Sequence, residues 1–132
     1  MTIDSFSSFY RTIHGHRPFV WQQELLKRVV AEGWPSTIAM PTSSGKTSAI
    51  DVAVFHLALE AGKGAFERRS SLRTFFIVDR RVVVDEAFDH AEKIANRLRD
   101  ATDGPIKEVA DRLNVFWRRA AASGEQNAWR HA

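Results

Sequence analysis

Between a short apolar run, Thr37-Ile-Ala-Met40, and a nearly unbroken apolar stretch from Ala49 to Leu59 lies a polar turn, Pro41-Thr-Ser-Ser-Gly-Lys-Thr47. This arrangement constrains the fold more than any other feature. An apolar tetrapeptide bounded by turn residues reads as a buried strand, and an apolar segment as long as 49–59 reads as a helix buried on several sides. A second strand is expected at Thr74-Phe-Phe-Ile-Val78, which is β-branched and aromatic and bounded by charge. From Arg81 to Arg99 the apolar positions 84, 87, 88, 91, 94, 95 and 98 trace one helical stripe. Strand, turn, helix, loop, strand, helix is the order of a βαβα unit, which requires parallel pairing and a right-handed crossover. The expected fold class is therefore α/β, with parallel strands at about 37–40 and 74–78 flanked by helices.

The rest of the chain reads as helix and loop. Asp4 to Ile13 has Phe6, Phe9 and Tyr10 at helical spacing and ends at Gly15. Pro18 suits a first helical position, and Phe19 to Glu32 continues until Gly33. Gly62 to Leu72 has the glycine and polar content of a surface loop, and Pro105 opens a last helix whose apolar side runs from Ile106 to Ala120. With 132 residues and 44% apolar content the chain can bury one core, so a single domain is expected. The absence of cysteine removes disulfides and thiolate metal sites. No secretory signal or spanning run is visible, which points to a cytoplasmic protein. The net charge of +3 says little, but arginine outnumbers lysine 14 to 5, with pairs at Arg68-Arg69, Arg80-Arg81 and Arg118-Arg119. Such pairs suit phosphate, or reflect compositional bias.

Gly45, Lys46 and Thr47 supply the chemistry of a phosphate cradle: converging backbone N–H groups, an ammonium for the β and γ charges, and a hydroxyl for Mg²⁺. Met40 stands where the opening glycine of that pattern belongs. The alternative is a chance Gly-Lys-Thr in a surface turn. Two histidines, His14 and His16, flank Gly15 and read as turn residues. The Asp89-His90 dipeptide reads as part of a solvated helix face rather than as metal ligands.

Pro41 to Thr47 closely resembles motif I of superfamily 2 helicases. Arg17-Pro-Phe-Val-Trp-Gln-Gln-Glu24 resembles the segment that carries the adenine-reading glutamine, and Phe75 to Ala87 resembles motif Ia. That last stretch is most similar to the CRISPR-associated helicase-nucleases of type I systems, particularly the I-G (formerly I-U) branch. The resemblance spans roughly Pro18 to Leu98. It implies a partial RecA-like P-loop domain over 1–132, with a helical lead-in at 1–17 and a frayed tail at 121–132.

By this resemblance ATP would be held by Pro41, Thr42, Ser43, Ser44, Gly45, Lys46, Thr47 and Ser48. Gln22 or Gln23 would read adenine, and Phe19 or Trp21 would stack on the base or enter the core. Lys46 and Thr47 would be the catalytic pair, with Thr47 ligating Mg²⁺. Arg80 and Arg81 would hold a nucleic-acid phosphate, or pair with Asp79 or Asp85. The implied cofactors are ATP and Mg²⁺, and the implied partners are single-stranded DNA and a crRNA-guided surveillance complex. No apolar strand ending in Asp-Glu follows Val78, so the expectation is the opening part of a DNA-translocating motor, inactive alone. A small P-loop phosphotransferase and a non-catalytic remnant that binds nucleic acid or a partner are the competing readings.

Overall fold

The computed structural model describes residues 1–36, 46–64, 67, 68, 70 and 81–123. These form five helices: α1 (Ser5–His14), α2 (Val20–Glu32), α3 (Ala49–Leu59), α4 (Arg81–Asp100) and α5 (Gly104–Ser123), with a 3-10 turn at Lys46–Ser48 leading into α3.

Local chemistry sets the boundaries. On α1 the side chains of Phe6, Phe9, Tyr10 and Ile13 recur at helical spacing and all are buried. The helix stops at Gly15, whose φ of 79° lies in the left-handed region and whose N–H donates to the Arg11 carbonyl at 2.8 Å. α2 begins later than the proline suggests. Phe19 is its N-cap, and the Phe19 N–H donates to Oε1 of Gln22 at 2.6 Å, a side-chain closure of the first turn. Pro18 stands just ahead of that cap. Gly33, at φ 90°, ends α2 by donating to the Val29 carbonyl. At the C-terminus of α3, Arg112 of α5 donates from Nε to the Ala58 carbonyl at 2.7 Å and from Nη2 to the Leu59 carbonyl at 3.1 Å. A guanidinium there satisfies orphan carbonyls and complements the negative end of the helix dipole.

The core sits where α1, α2, α3 and α5 meet. Phe55 of α3 is its centre, with Phe6 edge-on at 5.3 Å between ring centroids and Phe9 at 5.5 Å. Leu26, Val29, Val52 and Val109 are fully buried around it. α5 packs on α1, α3 and α4, while α2 packs on α3.

These contacts correct the expected fold class. Among the described residues there is no strand, and the two segments read as parallel strands, 37–40 and 74–78, lie outside them. In an α/β sheet fold the apolar faces of the helices would be covered by the sheet. Here α1, α2, α3 and α5 cover one another, which makes the described architecture a helical bundle. The stripe read on α4 is corrected at two points, Phe88 and Ala95, both of which are exposed. Ala87 and Ile94 are buried, whereas Phe88 is 65% exposed. No helix among the described residues is long and apolar enough to cross a membrane.

The packing predicts opposite outcomes for two phenylalanines. Phe55→Ala should lower the unfolding free energy by about 3–5 kcal/mol through cavity formation, whereas Phe88→Ala should change it by about 0.5 kcal/mol or less. Urea denaturation measures both, and comparable losses in the two variants would contradict the assignment of the core.

Candidate functional site

α3 is apolar except for two ionisable residues, Asp51 and His56, and neither exposes any surface. A charge or polar group taken out of water must be partnered inside the fold, so both positions demand explanation.

Asp51 lies in the first turn of α3, where the helix dipole favours a negative charge. Its Oδ1 accepts a hydrogen bond from Nε2–H of His14, the last residue of α1, at 2.6 Å. Its Oδ2 accepts another from Nε2–H of His90, midway along α4, at 2.5 Å. The carboxylate therefore joins three helices, one oxygen to each imidazole. The two rings lie face to face, their centroids 4.7 Å apart and their planes 14° from parallel. Tyr10 also lies against His14, at 4.4 Å between centroids and tilted by 47°. Side-chain exposure rises from nothing at Asp51, through 5% at His14, to 17% at His90, so the cluster opens towards α4. Burial pushes the Asp51 carboxyl up, but the hydrogen bonds from His14 and His90, and the charges on those rings, outweigh burial and hold it below its ordinary value. The donor atoms of His14, Asp51 and His90 all lie within 4.8 Å of one another.

His56 is engaged differently. Nε1–H of Trp34 donates to its Nδ1 at 3.2 Å, and since an indole N–H can only donate, that nitrogen carries no proton. His56 Nε2–H then donates to Oε1 of Glu60 at 3.0 Å. Oε2 of Glu60 accepts from both the N–H and the hydroxyl of Ser70, at 3.0 and 2.9 Å. Both nitrogens of His56 are thus committed to a network that ties the end of α3 to the chain at Ser70.

Of the residues read as an ATP site, Pro41 to Gly45 lie outside the described residues, as does Arg80. Lys46 opens the 3-10 turn, Thr47 is half-buried within it, and Arg81 heads α4. Ser48 is buried, its hydroxyl 3.4 Å from that of Tyr10. Gln22 is fully buried, with its oxygen on the Phe19 N–H and its Nε2–H donating to the Ser48 carbonyl at 3.4 Å. Gln23 is half-buried on the next position of α2, Phe19 is 45% exposed, and Trp21 packs against the core. The structure thus brings Gln22 beside Ser48 and onto the backbone of Phe19, whose ring is partly exposed.

No protein-family model matches the chain, and neither a curated protein nor a solved structure matches it. Together with the helical bundle, this overturns the resemblance to superfamily 2 helicases and to the type I CRISPR helicase-nucleases. The P-loop ATPase activity, and the RecA-like domain with it, depended on a parallel sheet that the described residues do not contain. The reading of His14 as a turn residue and of His90 as a solvated face is corrected as well, since both point at a buried carboxylate. The signal that was present and not used is Asp51 itself, a lone carboxylate in the first turn of an apolar helix.

A pH prediction follows with its sign. Because the folded value of Asp51 is depressed, its contribution to stability is present above the ordinary carboxyl range, near pH ~3.9, and is lost as pH falls through the folded value. Asp51→Asn should cost roughly 3–5 kcal/mol at pH 7 by stripping the two imidazoles of their buried partner. It should also flatten the loss of stability below about pH 4 seen in urea unfolding of the parent chain. An unchanged acid slope in the variant would contradict this role.

Proposed function

We propose that this chain is a helical metal-binding domain that takes one zinc-class divalent ion between His14, Asp51 and His90. The observation that carries the reading is the convergence of two imidazole nitrogens and one carboxylate, from three separate helices, within 4.8 Å.

The donor set suits that class of ion. Two imidazoles and a carboxylate are borderline nitrogen and oxygen ligands, which favour zinc, copper or nickel over magnesium or calcium. Around a tetrahedral ion with bonds of about 2.0–2.1 Å, ligand atoms stand about 3.3 Å apart. Each imidazole nitrogen now stands 2.6 or 2.5 Å from its carboxylate oxygen, while the three ligand atoms spread over as much as 4.8 Å, so seating an ion lengthens the first two contacts by under an ångström and closes the widest separation by about 1.5 Å. The ion takes the place of the two N–H···O bonds, and each imidazole moves its proton to Nδ1 or releases it. Three protein ligands leave one position of a tetrahedral ion to be filled.

The consequence is mechanical. An ion held by the end of α1, the start of α3 and the middle of α4 fixes three elements at once, and binding to the folded state alone stabilises it. At a free concentration of about 100 times Kd the gain is roughly 2.7 kcal/mol. A rival account treats the three residues as a purely structural ion triad, complete without a metal.

Zinc titration of the full chain, followed by calorimetry and by thermal unfolding, separates the two. One equivalent of zinc should bind and raise Tm, and His90→Gln, which keeps a donor for the carboxylate but loses the imidazole, should abolish both effects. A Tm that does not move in excess zinc, or a rise that persists unchanged in His90→Gln, would establish the structural triad instead.

A further inference from the structure

We infer that His16 supplies the fourth ligand once an ion is seated, closing the centre as three histidines and one aspartate. The inference rests on the metal reading above and names what fills its open position.

The tautomer of His16 is the first argument. Its Nδ1 lies 3.0 Å from the Arg17 carbonyl oxygen. A carbonyl can only accept, so Nδ1 carries the proton and Nε2 presents its lone pair. A backbone carbonyl on Nδ1–H is the outer contact that fixes a histidine for ligation through Nε2. Among the described residues no group pairs with that Nε2.

Position is the second argument. The His16 ring centroid lies 6.3 Å from that of His14 and 5.4 Å from Tyr10, edge-on to the latter. It therefore borders the cluster without belonging to it. His16 is exposed, and a shift that keeps its Nδ1–H bond to Arg17 costs only the edge contacts with Tyr10 and Phe19. The intervening Gly15 is left-handed, and beyond its chain neighbours no atom lies within 4 Å of where its Cβ would stand. The His16 ring itself meets Tyr10 and Phe19 edge-on, at 5.4 and 6.2 Å between centroids.

Coordination chemistry is the third argument. Zinc held structurally is almost always four-coordinate with protein ligands, whereas an open fourth position holds water. With His16 in place the ion carries no exchangeable water, and the centre serves to lock the bundle rather than to activate a nucleophile. His16 also converts a weak three-ligand site into one whose last ligand arrives from solvent, which makes its side chain the gate for gain and loss of the ion.

Cobalt(II) is the probe, because its visible spectrum reports coordination number. The full chain loaded with one equivalent should give the intense pattern of a four-coordinate ion, and excess imidazole or azide should leave it unchanged. His16→Ala should weaken that absorption to a five- or six-coordinate pattern, make it sensitive to azide, and lower zinc affinity by at least about tenfold, the lower bound for losing even an outer partner of a ligand. Unchanged spectrum and affinity in His16→Ala would overturn the role of His16 while leaving the three-residue site intact. Failure of the parent chain to bind cobalt would overturn this inference together with the reading beneath it. Circular dichroism of His16→Ala, expected to match the parent because the ring is exposed, guards against loss of fold.

Discussion

A carboxylate with no access to water governs this structure. Helix α3 can pass through the centre of the bundle only if the charge of Asp51 is met inside, and the two groups that meet it come from other helices. Removing either imidazole leaves one carboxylate oxygen without its donor in a medium that cannot replace it. The end of α1 and the middle of α4 are therefore positioned relative to α3 by chemistry as well as by the apolar packing of Phe6, Phe9 and Phe55. Apolar contact is non-directional and tolerates sliding, whereas two short hydrogen bonds to one carboxylate do not. The same end of α3 is held again where Tyr10 meets Ser48 and where Gln22 reaches the Ser48 carbonyl.

The features that make the triad a good structural tie also make it a good ligand set. An ionised carboxylate with one imidazole on each oxygen holds the ring protons when no ion is present and would exchange them for a metal when one is. A single arrangement thus serves folding and binding, and occupancy becomes a stability signal rather than a separate event. His56 illustrates the contrast. It is as buried as Asp51, yet Trp34 and Glu60 engage both of its nitrogens, so it anchors without offering a ligand.

Much of the helical content was legible because it rests on local rules. The stripe of Phe6, Phe9, Tyr10 and Ile13 identified α1, Gly15 and Gly33 marked two ends, and the apolar faces of α4 and α5 announced themselves by period. What could not be read was which surface each helix covers. An apolar helix after a glycine-lysine turn suits a sheet as well as it suits other helices, and the turn chemistry of Pro41 to Thr47 tipped the reading towards a sheet. Phe88 shows the same limit on a smaller scale, since a stripe drawn from period alone does not reveal where the buried face ends. The site was illegible for a different reason. His14 and His90 lie 37 and 39 positions from Asp51, so no spacing motif joins them. Only the anomaly of an acidic residue within α3 hinted that partners must exist.

The account turns on the two imidazole nitrogens that share Asp51, and long-range ¹⁵N NMR of the histidine side chains observes them directly. Without metal, Nε2 of His14 and of His90 should both appear protonated and protected from exchange. With one equivalent of zinc both should move to the shifts of metal-bound nitrogen while His56 stays unchanged. Freely exchanging rings on His14 and His90 in the metal-free chain, or zinc shifts confined to other histidines, would contradict it.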